Sequence, residues 1–353
     1  MKRLFKWVLA VFLYYTGILW LFEKFNSYSK ENWRILEYRR VGNYKDEIFV
    51  TSIPLYHFKR QMSYLRAKYN VISLKEAVER IASHKKLPLR CVTITFDDGY
   101  RDTYLNAYLV LKQLNLNATI FLATDYIGSD ALLWFDEMME TIKASSVKRI
   151  AISGNKDEES FSLSSASERK VFTLHLLEIM QRIKAGERKK YLLELKSLLE
   201  VDKKENPEKK LISWEEAKEM SQNNIDFGSH GRSHTILSIL NEEELKAELK
   251  DSKKIIEDNL KKPVFLFSYP NGREEDFNNI IISELFKAGY KASCTSILGT
   301  NMGRINLFKL KRIGIERASS SSFFGLYSRA IFACEMSGIL DLLFFREERE
   351  GYC

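Results

Sequence analysis

Of the five histidines in this chain, two, His230 and His234, stand four residues apart in Ser229-His230-Gly231-Arg232-Ser233-His234. Four residues is about one helical turn, so on a helix both imidazoles would share a face as a two-armed metal clamp. Far upstream, Thr95-Phe96-Asp97-Asp98-Gly99-Tyr100 carries two adjacent carboxylates. Such neighbours repel unless a cation or proton lies between them, and Gly99 permits a tight turn. Taken alone, this loop also reads as a helix N-cap through Asp98 or Asp102. Two imidazoles and one carboxylate with open positions suit zinc or another divalent transition metal that polarises water. A third loop, Phe267-Ser268-Tyr269-Pro270-Asn271-Gly272, is either an ordinary β-turn or a rigid turn whose backbone N–H groups face a developing oxyanion.

All three loops follow strand-like runs, and in barrels and open α/β sheets active sites lie just after the strands. Val92–Phe96 is β-branched and compact, which predicts a buried strand. A helical stripe of Tyr104, Ala107, Tyr108, Leu111 and Leu114 precedes a strand over 117–122. Strand candidates recur at 34–41, 225–228, 264–267, 290–294 and 310–315, and this alternation predicts a parallel sheet with right-handed crossovers. Ser213 with Glu216 and Asn241 with Glu244 have the spacing of capping boxes. Residues 136–212 break the rhythm and read as a helical insertion, with a charged linker at 203–210 around Pro207. His175 lies on an apolar stripe there and reads as structural. Ser319–Phe345 reads as a closing apolar helix.

The 353 residues are 45% apolar and 29% charged, a globular composition and not a disordered one. With 55 Lys plus Arg against 47 Asp plus Glu, the net charge of +8 is mild and interleaved. It predicts no nucleic-acid footprint, but some affinity for anionic membranes. Cys91, Cys294, Cys334 and Cys353 form no CxxC pair, so a cysteine zinc site and a disulfide framework are not expected. Leu4–Phe22 is mostly apolar, with Lys2, Arg3 and Lys6 at its start and Lys24 beyond it. It reads as an uncleaved signal-anchor, as a helix lying in the membrane interface, or as a buried core helix. Basic residues on both flanks blunt any inference of sidedness. Residues 23–34 read as a polar linker.

Taken in order, the three loops resemble the polysaccharide deacetylase (NodB-homology) family. The resemblance spans roughly residues 35–316, without the insertion, and rests mainly on Thr-Phe-Asp-Asp-Gly and His-x-x-x-His. It implies an α/β fold, a deformed (β/α) barrel, with residues 1–34 as membrane-associated helix and linker and 317–353 as a C-terminal helix. It further implies removal of N-acetyl, sometimes O-acetyl, groups from an acetylated polysaccharide or oligosaccharide. Asp97 would be the general base, Asp98, His230 and His234 the ligands, and the metal zinc, or cobalt or nickel by substitution. The backbone N–H of Asn271 would hold the oxyanion, with Tyr269 beside it.

The chain also departs from the family. No histidine follows His234 to supply the usual Leu-x-His acid, and no Asp lies between Asp276 and Asp341. Ser268 stands where an Arg is usual, and Tyr38-Arg39 replaces a Tyr-His pair. Arg39 cannot donate a proton usefully, but it could bind a substrate carboxylate or phosphate. His57 is the N-terminal substitute for the acid, and Arg312 matches a recurrent Arg of unassigned role. Tyr100 and Trp134 read either as sugar-stacking residues or as core. Two functions remain open: a metal-dependent deacetylase, and a catalytically weak glycan-binding relative within a polysaccharide synthesis complex. A hydrolase of another linear amide on the same scaffold is a third.

Overall fold

The computed structural model describes residues 2–25, 32–44, 52–153, 158–201 and 210–343. Seven strands form its centre: β1 Arg34–Tyr38, β2 Cys91–Phe96, β3 Ala118–Leu122, β4 Ile225–Ser229, β5 Leu266–Ser268, β6 Ala292–Leu298 and β7 Leu310–Gly314. Neighbours around the sheet run β1-β7-β6-β5-β4-β3-β2, all parallel, and β2 pairs back onto β1 to close a barrel. The short strand Asn70–Val71 adds to the edge of β2. Parallel strands covered on both sides must be apolar or internally bonded throughout, and β1, β2 and β3 are buried along their whole length.

The barrel interior changes character along its axis. Alternate residues of a strand share a face. Cys91, Leu266, Ala292 and Leu310, which open their strands, cluster with Ile35, Phe121 and with Leu74, Ala77 and Val78 of the helix Leu74–Ala82. That helix closes the N-terminal end with apolar packing. Further along the same faces come Glu37 on β1, Thr93 and Thr95 on β2, and Arg312 on β7, all buried. The acidic pair directly follows β2 and His230 directly follows β4, so the polar end of the barrel carries all three loops.

Both expected capping boxes are present, at Ser213/Glu216 and Asn241/Glu244. The strand candidates at 225–228, 264–267, 290–294 and 310–315 fall within two to four residues of β4 to β7. The segment 34–41 is interrupted: Arg40–Val41 leaves the barrel and pairs with Ser52–Ile53. The stretch 136–212 carries the helices Ala166–Met180 and Ala185–Leu198 and an antiparallel hairpin, Arg149–Ser153 with Glu158–Ser162. His175 sits there against Phe161, with Glu159 at 3.4 Å, as a structural residue. The charged linker around Pro207 lies outside the described residues, apart from Lys210.

The closing segment is not one helix. A 3-10 turn at Arg317–Ser320 precedes a loop, the helix Arg329–Ser337 and a further short helix, Ile339–Leu343. Gly338, at φ +80°, supplies the left-handed turn between the last two. The end of the expected helix, beyond residue 343, lies outside the described residues, as does Cys353. Cys91, Cys294 and Cys334 are free and buried.

At the N-terminus, α1 (Lys2–Tyr15) and α2 (Ile18–Phe25) bend by 73° about Gly17. Among the described residues no single helix is long and apolar enough to cross a membrane. Ala10, Leu13 and Leu19 are buried against the body. The polar linker expected at 23–34 is described only at its ends: Glu23 is buried in an ion pair with Arg90, and Asn32 and Trp33 are buried as well.

Candidate metal centre

Each of the three loops is held in a backbone conformation that L-residues seldom adopt. Asp98 has φ +74°, His234 φ +51° and Asn271 φ +63°. Such non-glycine positions cost of order 1–3 kcal/mol each and cluster where a site requires them. Asp98 is therefore no helix N-cap. The other capping candidate, Asp102, is engaged instead with Arg40 Nε at 2.8 Å, the Val41 N–H at 3.0 Å and the Tyr44 hydroxyl at 2.8 Å.

The two histidines do not share a helical turn, contrary to the spacing argument. His230 leaves β4, and the left-handed conformations at Gly231 (φ +77°) and His234 fold the loop back on itself. The imidazoles still converge, with ring centres 4.8 Å apart. Glu248, on the helix Glu242–Leu260, shapes this turn by accepting from the Arg232 N–H at 2.7 Å, the Ser233 N–H at 2.8 Å and the Ser233 hydroxyl at 3.1 Å. A Cβ on Gly231 would come within 2.8 Å of that same carboxylate. From the stretch 136–212, Arg188 donates to the Ser233 carbonyl at 3.1 Å and to Thr235 Oγ1 at 3.0 Å. Phe135 packs edge-on against His234.

The result is a cluster of three side chains whose ligand atoms all lie within 4.8 Å of one another. Asp98 Oδ1 is 3.5 Å from His230 Nε2 and 3.2 Å from His234 Nε2. Tetrahedral ligands with bonds of about 2.1 Å are separated by roughly 3.4 Å. Both Asp98 oxygens and both Nε2 atoms are buried with no hydrogen-bond partner. Buried polar atoms are normally satisfied, so these four atoms fit a cation between them. The other nitrogen of His230, Nδ1, lies 2.8 Å from the Ser268 carbonyl, which fixes Nε2 toward the cluster. Burial lowers the His230 pKa to about 4, so the ring is neutral at pH 7 and keeps a lone pair for a metal. For Asp98, burial pushes the pKa up, but His234, Arg39 and His230 outweigh it and hold the carboxyl below the usual range.

Asp97, buried beside His230, is met by Arg312 from across β1. The guanidinium donates twice, Nη1 to Oδ1 at 2.8 Å and Nη2 to Oδ2 at 2.7 Å. Arg312 Nε also donates to the Thr295 carbonyl at 2.8 Å and lies 3.4 Å from Glu37 Oε2. Burial raises the Asp97 pKa, but the Arg312 charge and hydrogen bonds, with His230 and Arg39, together more than reverse this, so the carboxylate stays ionised. Ser268, at the position where a family Arg is usual, offers only a long hydroxyl contact to Asp97 at 3.4 Å. The countercharge to Asp97 thus comes from the last strand. Arg39 is buried, 3.5 Å from Glu37, and its charge acts on both Asp97 and Asp98.

Other candidates are placed differently from the sequence reading. Tyr100 is fully buried, with its hydroxyl donating to Asp136 at 3.0 Å, and so is no sugar-stacking surface. Trp134 is buried too, with the Arg188 guanidinium 4.6 Å over its ring. Tyr269 stacks on Phe277 at 4.5 Å and donates to the Phe308 carbonyl, so its side chain belongs to the core. Asn271 uses its side chain to brace Asp276 at 2.6 Å. The turn's backbone bonds run from Gly272 N to Pro270 O and from Ser296 N to Gly272 O, and leave the Asn271 N–H out of them. His57 contacts Ser320 and the Tyr327 ring instead of the cluster.

Sequence reasoning missed Glu37, Glu248 and Asp136. Glu37 carries a usable signal, a charge inside a buried strand pattern; the other two carry none, since helix register alone does not show what they brace. Asp136 is buried, and burial raises its pKa to about 6.

Two expectations follow. Arg312→Leu removes the cation that Asp97 and Glu37 share and leaves Asp97 without its paired guanidinium, and should cost about 3–5 kcal/mol in urea unfolding at pH 7, with Arg312→Lys recovering part. A loss below about 1 kcal/mol would contradict the pairing. Asp136 is protonated in the fold up to about pH 6, but only to about pH 4 when unfolded. Its contribution to stability is therefore present at low pH and lost as pH rises from about 4 to 6, by on the order of 3 kcal/mol. Asp136→Asn should flatten that part of the stability–pH curve, measured in chelator; parallel curves would contradict the assignment.

Comparison with known proteins agrees with this geometry. The polysaccharide deacetylase family model matches residues 84–165 and 179–293. YxkH of Bacillus subtilis (strain 168), whose name assigns it to the polysaccharide deacetylases, is 25% identical over 276 residues, 78% of this chain and 70% of its own. The poly-beta-1,6-N-acetyl-D-glucosamine N-deacetylase of Staphylococcus epidermidis is 35% identical over 117 residues, 29% of this chain and 40% of its own. The Streptococcus pyogenes deacetylase PplD, solved with acetate, shares the fold at a TM-score of 0.54 and 18% identity, over 81% of this chain and 92% of that one. With the matching loops assembled on a closed parallel barrel, the chain belongs to the polysaccharide deacetylase family and is a hydrolase of carbon–nitrogen bonds.

Proposed function

We propose that the chain removes N-acetyl groups from a polysaccharide or oligosaccharide of N-acetylated amino sugar, with zinc held by Asp98, His230 and His234. The observation that carries this is the set of four buried, unbonded ligand atoms turned toward one another beside an ionised carboxylate. Cobalt or nickel would suit the same donors. When bound, the metal supplies Lewis-acid polarisation of the acetyl carbonyl and a water of lowered pKa.

The chain's own residues do the rest. Asp97 accepts the proton of the attacking water, and Arg312 keeps that carboxylate ionised and oriented by two parallel hydrogen bonds. The Asn271 N–H donates to the developing oxyanion, a contribution typically worth about 3 kcal/mol. Among the described residues no further imidazole is placed at the centre, so Asp97 also returns the proton to the leaving amine. Arg39 stabilises negative charge at the mouth through its field on Asp97 and Asp98.

The lack of a further imidazole beyond the two ligands also favours the other reading, a weak or inactive relative that binds glycan within a synthesis complex. Acetate release from β-1,6-linked N-acetylglucosamine oligomers by the zinc-loaded full chain separates the two. The deacetylase reading expects turnover that falls about 10²–10⁴-fold in Asp97→Asn with zinc content unchanged. No acetate from the wild type would leave the binding reading, and equal release by Asp97→Asn would remove Asp97 from its role.

A further inference from the structure

The N-terminal helix pair has two opposed faces. Lys6, Ala10 and Leu13 recur at helical spacing on one side of α1, and this side packs on the body: Ala10 and Leu13 are buried and Lys6 pairs with Glu335. The opposite side carries Phe5, Val8, Phe12 and Tyr15, which are 52–76% exposed. α2 repeats the pattern, with Leu19 and Glu23 inward and Trp20, Leu21 and Phe25 outward. Scattered apolar residues on a surface need no explanation, but a contiguous set of large ones marks a contact.

This surface is composite. Trp7 packs edge-on against Phe324 at 5.8 Å, and Phe323 packs on Phe324. Phe324 and Leu326 are 73% and 71% exposed, although they lie some three hundred residues away along the chain. The loop 322–326 therefore extends the outer apolar surface of α1. The exposed charge on the pair is basic: Arg3 and Lys24 lie outward, while Glu23 is taken up by Arg90. Lys24 lies over the Trp20 and Phe25 rings, so its stem and the aromatics occupy one edge. Large apolar residues, aromatics and peripheral cations on one face match the boundary of an anionic bilayer.

We propose that this composite face, α1, α2 and the loop 322–326, docks the protein flat on an anionic lipid surface without crossing it. A spanning helix would require straightening the 73° bend and stripping Ala10, Leu13, Leu19, Lys6 and Glu23 from their contacts. Docking leaves all of these in place and uses only residues already exposed. Glu23 meets Arg90 at the start of β2, and Trp7 meets the loop after Arg317–Ser320, so the docked face runs along a flank of the barrel from the start of β2 to the segment that follows β7. This inference does not rest on the deacetylase reading.

The test is flotation of the purified full chain with vesicles of phosphatidylcholine alone or with added phosphatidylglycerol. Expected are binding to the anionic vesicles, weakening with salt, quenching of tryptophan fluorescence by brominated lipid that Trp20→Phe largely removes, and release by alkaline carbonate. Phe324→Ser/Leu326→Ser should weaken binding about tenfold, as should Phe12→Ser/Trp20→Ser; all four positions are exposed, so circular dichroism should be unchanged. Binding indifferent to the loop pair and resistant to carbonate would overturn the proposal in favour of a span. Failure to bind either vesicle would overturn it outright, and self-association in sedimentation would then assign the face to a second copy.

Discussion

Everything at the mouth of this barrel follows from four polar atoms buried without hydrogen bonds. The two Asp98 oxygens and the Nε2 atoms of His230 and His234 have been taken out of water and given no protein partner. An unsatisfied buried group costs about 1–3 kcal/mol, and more when charged. Three of the residues involved also sit in a loop or turn bent into left-handed backbone, or directly beside one. A fold stable by only 5–15 kcal/mol cannot carry such costs without return. A divalent cation between those atoms would satisfy all four at once and offset the strain of the loops that hold them.

The surrounding structure can be read as the means of enforcing that arrangement. β2 delivers the acidic pair and β4 delivers His230, from neighbouring strand ends across β3. Glu248 gathers the backbone of the histidine loop, and Arg188 ties the same loop to the segment that interrupts the barrel. Asp97 is separated from its neighbour by direction: one carboxylate turns to the imidazoles and the other to Arg312. With the proposed metal in place, that separation would resolve the repulsion of adjacent carboxylates with two different cations, the metal for one and the Arg312 guanidinium for the other.

The motif loops were legible because their residue types are rare and their chemistry is narrow: two of five histidines four apart, and a doubled Asp before Gly. The caps at Ser213 and Asn241 were legible because they are local. What failed was anything that depended on direction. The four-residue spacing of the histidines predicts a helix, since spacing alone cannot show that Gly231 and His234 reverse the chain. Tyr100, Tyr269 and Trp134 looked available because an aromatic beside a motif reads the same whether it lines a groove or fills a core. The partner of Asp97 was hidden because Arg312 lies more than two hundred residues away and only barrel closure brings β7 beside β1. Yet Glu37, Thr93, Thr95 and Arg312 fall on the same alternating face of their strands as the apolar Ile35, Cys91 and Leu310. That period of two was the available sign of a polar barrel end.

The central claim is that a cation belongs among Asp98, His230 and His234. Elemental analysis after chelation, zinc loading and exhaustive dialysis of the full chain tests it most directly. The account predicts one zinc retained per chain and its loss in both His230→Ala and His234→Ala, with far-ultraviolet circular dichroism unchanged. Retention at the wild-type level in both variants, or none in the wild type, would contradict it.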